Sequence, residues 1–237
     1  MKISSLHFVV VLASTLVLVG SPQAQDSLRA RVELTKGGRR LKDGSKAVVW
    51  LTPVGIGVEP PKQTQVPQLI QKNKSFQPSL IVIPAGGKVE FPNHDPFFHN
   101  VFSLFEGKRF DLGLYESGTT RFVQFDKPGI SFIFCNIHAE MSAVVIALTT
   151  PYYAISDTHG DLAIADVPPG RYQLQVFHSG VAPDALRALA REITVTSGQT
   201  TLGTFTLAES DLTVAHKNKY GRDYDRPEPN SPAYARP

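Results

Sequence analysis

The chain has 237 residues, 42% of them hydrophobic and 19% charged, and a formal net charge of +3. That length suits one large or two small domains, while the charge is too low, and the basic residues too scattered, to attract nucleic acid. Its single cysteine, Cys135, excludes an internal disulfide, so the fold must rest on its core.

Residues 1–24 open with Lys2, run through the uncharged stretch "FVVVLASTLVLVG" and end in "SPQAQ". A basic start, a short apolar middle and small residues near a cut form a secretory signal, and the run is shorter than the ~20 residues a spanning helix needs. The expectation is cleavage near Ala24, export to the periplasm or medium, and no stable membrane span afterwards.

Beyond the signal the pattern is β. "ARVELT" alternates Val32 and Leu34 with charged neighbours, "AVVWLTP" is a compact apolar run, and "KGGRRLKDGSK" between them is rich in turn residues. "SLIVIPAGGKVEFPN" predicts two strands around a Gly-Gly turn. "TTRFVQFDKPG" and "ISFIFCNIHAEMSAVVIALTT" follow, with Phe132 and Phe134 on one face and Ile133 on the other. Short strands at this spacing predict a β-sandwich or barrel.

From Pro151 a smaller β unit begins. Its turn "DTHGD" joins two strands, and Tyr172, Leu174 and Val176 alternate with Arg171, Gln173 and Gln175. "APDALRALARE" predicts one or two helical turns, and "ITVTSGQTTLGTFTL" a closing hairpin. Residues 209–237, rich in Pro and charge, are expected to form a mobile or surface-draped tail. The expected division is therefore 1–24 signal, 25–150 first domain with the N-terminal strands, 151–208 second β domain, and 209–237 tail.

Chemistry concentrates in "FIFCNIHAEM". Cys135, His138 and Met141 share one tight loop between two apolar strands, and "PFFHNVFS" supplies a second imidazole, His99, 36 residues upstream of the thiol. A lone cysteine is ordinarily a small core residue, and methionine also serves as core filler. Here the offsets match another use. Two imidazoles and a thiolate with a weak axial thioether form the blue-copper electron-transfer site, in which soft donors hold Cu(I) and imidazole suits both oxidation states. Asn100, next to His99, is placed to tie the two ligand loops together through its side chain. A rigid β scaffold keeps such ligands from moving.

"FHNVFS" and the Cys-x2-His-x2-Met spacing of "CNIHAEM" resemble the cupredoxins, and the second is the amicyanin spacing. The resemblance implies a cupredoxin Greek-key β-sandwich, strongest over residues 69–148, with His99, Cys135, His138 and Met141 as ligands of one type 1 copper ion and Asn100 supporting them from outside. Ala139 and Glu140 stand where the amicyanin loop has a Pro-aromatic pair. The whole chain also resembles exported cupredoxin-domain proteins labelled methylamine utilisation protein. In these a carboxypeptidase regulatory-like (transthyretin-like) β-sandwich follows, and "DTHGDLAIADVPPGRYQLQVFH" carries that likeness. Implied with it are a one-electron carrier rather than an enzyme, a protein redox donor and acceptor that dock briefly, and exchange through the ring edge of His138.

Competing readings are a Cys-His hydrolase, a zinc site, a copper carrier or storage protein, and a partner-binding β module with structural copper. The hydrolase lacks an orienting group for its histidine, and zinc disfavours a thioether. His94 is expected in a turn, with Asp95 as its only partner for a second metal site. His159 and His178 are expected to be solvated. "PFF" beside His99 offers either a docking surface or buried phenylalanines.

Overall fold

The computed structural model describes residues 27–57, 59–104, 106–210 and 216–224. The expected signal, residues 1–24, lies outside the described residues. Three strands open the described chain: β1 (Leu28–Lys36), β2 (Arg39–Arg40) and β3 (Val48–Pro53). The middle holds β4 (Ile70–Gln71), β5 (Phe76–Gln77), β6 (Leu80–Pro84), β7 (Lys88–Pro92), β8 (His99–Ser103), β9 (Phe110–Tyr115), β10 (Thr120–Gln124), β11 (Gly129–Cys135) and β12 (Ser142–Leu148). The end holds β13 (Tyr153–Ile155), β14 (Asp161–Ile164), β15 (Gly170–Phe177), helix α1 (Pro183–Leu189), β16 (Arg191–Val195) and β17 (Thr201–Ala208).

The chain is an all-β protein built of stacked sheets. One outer sheet runs β14-β1-β17 with β2 on β1, and the next runs β13-β3-β15-β16. A five-stranded sheet, β6-β12-β11-β8-β9, follows, and the pair β10-β7 closes the stack. Three apolar layers lie between them. Leu28, Val32, Leu51, Leu174 and Phe205 fill the first, Trp50, Ile146 and Phe177 the second, and Val89, Phe91, Val101, Ile133 and Val145 the third.

Two strands show why the apolar runs in the sequence lack alternation. In β3, Val49 and Leu51 face the first layer while Val48 and Trp50 face the second. In β12, Val144, Ile146 and Leu148 face the second layer while Ala143, Val145 and Ala147 face the third. A strand covered on both faces has no solvent side on which to place polar residues.

The strand pairing corrects the expected division at residue 150. β1 runs parallel to β17, with Ala30 opposite Gly203 and Thr35 opposite Ala208, and β3 lies between β13 and β15. The N-terminal strands therefore complete the C-terminal sandwich, and the unit from β4 to β12 is inserted between its parts. Periodicity fixes which face of a strand is buried but not which strand lies beside it. One close approach holds this sandwich together. Gly160 has φ of +83°, and a Cβ there would lie 2.0 Å from the Val32 carbonyl oxygen, so only glycine fits.

Candidate metal centre

His99 opens β8 and Cys135 ends β11. These strands are antiparallel neighbours, with Cys135 opposite Val101. His99 lies two residues along β8 from that pairing, so it shares a face with the thiol at diagonal distance. Beyond Cys135 the loop closes tightly: Met141 N–H donates to the His138 carbonyl at 3.1 Å, and Cys135 N–H to the Met141 carbonyl at 3.2 Å. This fold-back turns the His138 ring inward, where it lies 4.9 Å from the His99 ring, centroid to centroid.

Cys135 Sγ lies 3.6 Å from His99 Nδ1 and 3.5 Å from His138 Nδ1. One donor atom from each of the three lies within 4.8 Å of the others. His99 and Cys135 are fully buried, and His138 retains 4% exposure. Met141 is fully buried in the same apolar cluster as Cys135.

The tautomer of His99 follows from its neighbours. His99 Nε2 lies 2.9 Å from Asp95 Oδ2, and the Asp95 carboxylate also accepts the N–H groups of Asn73 at 2.6 Å and Lys74 at 3.0 Å. Burial alone would raise the Asp95 carboxyl, but these donors outweigh it and hold it below the usual carboxylate range. An ionised carboxylate only accepts, so His99 donates from Nε2 and turns the Nδ1 lone pair toward the sulfur. Burial lowers His99, and lowers His138 to about 4, where the charge of His99 adds to the effect. Burial pushes the Cys135 thiol up, opposed by the backbone N–H groups of Asn100, Ile137 and His138. At neutral pH the cluster thus presents two imidazole lone pairs and one thiol whose proton a soft cation can displace.

The remaining expectations divide. Asn100 is buried, but its side chain donates to Asp111 Oδ1 on β9 at 2.6 Å, and its backbone carbonyl is what reaches the thiol loop, accepting Asn136 N–H at 2.8 Å. The direct tie between the ligand loops is therefore a backbone one, with the Asn100 side chain turned to Asp111 instead. Asp95 faces His99 and not the exposed His94, so no His94–Asp95 pair forms. His159 is exposed, as expected. His178 follows β15 directly and is buried, accepting Gly180 N–H at 3.2 Å with Glu209 4.0 Å away. Phe97 is half-buried against both imidazoles at 5.3 and 5.5 Å, whereas Phe98 is 50% exposed.

Sequence reasoning missed two supports. Asn93 is fully buried and braces the loop before His99: its Oδ1 accepts Asp95 N–H at 3.0 Å and its Nδ2 donates to the Phe97 carbonyl at 2.8 Å. Tyr224, in the expected tail, donates its hydroxyl to the Cys135 carbonyl at 2.6 Å.

Fold and site together define an all-β protein with a buried cluster of two imidazoles and one thiol. No protein-family model matches the chain, and no curated protein matches it. Among solved structures it is similar to the copper-containing nitrite reductase of Thermus scotoductus SA-01 (24% identity, TM-score 0.35), over 42% of this chain and 26% of that one. It is also similar to a purple cupredoxin from Nitrosopumilus maritimus (22%, TM-score 0.31), over 34% of this chain and 98% of that one. Amicyanin from Paracoccus versutus is a third (19%, TM-score 0.33), over 41% of this chain and 97% of that one. The chain spans about a quarter of the length of the nitrite reductase it matches. No described helix is long and apolar enough to cross a membrane.

Proposed function

We propose that His99, Cys135 and His138, with Met141 as a weak axial donor, hold one copper ion in a type 1 site, and that the protein is an exported, periplasmic one-electron carrier. The observation that carries this reading is the convergence of the thiol on two Nδ1 atoms, at 3.5 and 3.6 Å, in a site closed to bulk water. Bonds of about 2.0 Å to nitrogen and about 2.3 Å to sulfur at roughly 110–120° would set sulfur and nitrogen about 3.5–3.7 Å apart, so the two sulfur–nitrogen distances fit a metal with little movement. Two imidazoles and a thiolate, with a buried thioether in the same loop, suit copper better than zinc. The cupredoxin resemblance of "FHNVFS" and "CNIHAEM" points the same way.

Copper would supply a one-electron couple; the chain's part is to keep the donors still. Asp95 fixes the His99 ring from outside, and Asn100 fixes the thiol through its backbone N–H and carbonyl. On this reading the partners are a protein donor and a protein acceptor that dock briefly. The residues after β12 are read as a carboxypeptidase regulatory-like sandwich, completed by β1 and β3.

Copper(II) added to the mature protein should give an intense blue colour and a narrow copper hyperfine splitting. Cys135→Ala should abolish both while leaving the β-sheet circular dichroism unchanged. A pale, ordinary copper(II) spectrum would replace electron transfer with copper transport or storage.

A further inference from the structure

The polar C-terminal segment holds an unexpected set of contacts. Residues 216–224 lie across the outside of the thiol loop and fasten to it at three points. Tyr224 donates its hydroxyl to the Cys135 carbonyl at 2.6 Å, and His216 Nδ1 lies 3.0 Å from the same hydroxyl oxygen. Since the tyrosine proton goes to the carbonyl, His216 donates its Nδ1–H to Tyr224. The His216 ring stacks on Phe134 at 4.1 Å, against the residue just before the thiol. Lys219 donates its backbone N–H to Asn136 Oδ1 at 2.9 Å and its ammonium to Asp111 Oδ2 at 2.7 Å, while Asp111 Oδ1 accepts from Asn100.

These bonds converge on one peptide unit. The Cys135–Asn136 peptide donates its N–H to the Asn100 carbonyl at 2.8 Å and accepts the Tyr224 hydroxyl on its own carbonyl. A peptide held at both ends cannot rotate without breaking one bond or the other, and each bond polarises the group that makes the second. A second route, Asn100 to Asp111 to Lys219 to Asn136, joins the same two loops through the side chains of Asn100, Asp111 and Asn136 and both the ammonium and backbone N–H of Lys219. None of this follows from packing alone, because Lys219 and Tyr224 reach the loop through specific polar atoms rather than through buried hydrocarbon.

We propose that residues 216–224 are a positioning strap for the thiol loop, with Tyr224 and Lys219 as its fasteners, and that they hold the Cys135–Asn136 peptide in the orientation the metal cluster requires. Neither residue touches the cluster itself; each acts through Cys135, Asn136 or Asp111. The effect on a bound metal rests on the copper reading, whereas the effect on the loop does not.

The test uses the full mature chain and compares Tyr224→Phe, which removes only the hydroxyl, and Lys219→Met with Lys217→Ala, an exposed control in the same segment. In the metal-free protein, amide hydrogen exchange of Asn136 to Met141 should speed up roughly three- to tenfold in Tyr224→Phe, the loss of one net hydrogen bond. Core amides of β11 and β12 and the control variant should be unchanged. With copper loaded, the sulfur-to-copper absorption band and the reduction potential of Tyr224→Phe should shift at nearly constant Tm. Loop exchange that stays at the wild-type rate in both fastener variants overturns the strap, as does acceleration spread evenly over the domain. If the wild-type protein takes up no blue copper, the copper reading fails and the exchange arm still decides the strap.

Discussion

Asp95 offers the sharpest test of how the cluster is held. Its Oδ1 accepts one N–H, from Asn73, and its Oδ2 accepts two, from Lys74 and His99. In Asp95→Asn the single remaining oxygen settles on the Oδ2 side, since the amide NH2 then faces one donor rather than two. One buried N–H loses its partner, and two charge-assisted bonds become neutral ones. Hydrogen bonds to charged groups are worth about 1.5–3 kcal/mol and neutral ones about half that, so one bond lost and two halved should cost the metal-free protein about 3–6 kcal/mol. Copper affinity should fall about tenfold, the low end of the 10–100-fold typical for an outer partner of a metal histidine, because the amide oxygen still orients the ring. Asp95→Ala leaves His99 Nε2 without an acceptor and should approach the hundredfold end. Urea denaturation of the metal-free protein and a Cu(I) competition titration measure the two quantities separately. Stability lost in both variants with affinity unchanged would refute the reasoning, reducing Asp95 to a clamp on the loop at 73–74.

Other outcomes follow from the same structure. The His138 pKa is lowered from 6.5 to about 4, so the unfolded chain binds a proton that the folded chain refuses between those values. Stability of the metal-free protein should be full above about pH 6.5 and fall by about 3 kcal/mol as pH drops toward 4; a flat urea midpoint over that window would contradict the burial of His138. Copper uptake near pH 7 should release about one proton per ion, from the thiol alone, read by calorimetry in buffers of different ionisation heat; three released protons would show that both imidazoles start charged. Residues 151–208 expressed alone should be unfolded by circular dichroism, because β1 and β3 supply strands of both their sheets; a cooperative melt would disprove that dependence. Gly160→Ala should destabilise by more than the ~1 kcal/mol of an ordinary glycine replacement, since backbone must move from Val32, and a wild-type Tm would contradict this.

Much of the site was legible because short-range spacing carries it. Cys135 and His138 converge through a loop six residues long, and Met141, at the end of that loop, is buried in the same apolar cluster as the thiol. His99 was found by residue type and neighbours, since no pattern announces that β8 pairs with β11. The parallel pairing of β1 with β17 joins residues more than 160 positions apart, and nothing local in either strand selects the other. In "PNHDP" Asp95 reads as a partner for His94; only the fold shows it sealed beside the His99 imidazole. The tail shows the sharpest limit. Its composition hides that His216, Lys219 and Tyr224 are turned to specific groups of the thiol loop and the strand before it, and residues 211–215 and 225–237 lie outside the described residues.

The charge count inside the cluster explains how three polar side chains come to be buried together. With the thiol protonated and both imidazoles neutral, the cluster carries no formal charge, and the carboxylate beside it is matched by three N–H donors. Under the proposed reading a monovalent soft cation exchanged for the thiol proton leaves that count unchanged, whereas a divalent one raises it by one. Burial penalises uncompensated charge and tolerates neutral groups that are hydrogen-bonded. On that reading the scaffold favours the reduced state, and Asp95, a buried anion hydrogen-bonded to His99, limits how far.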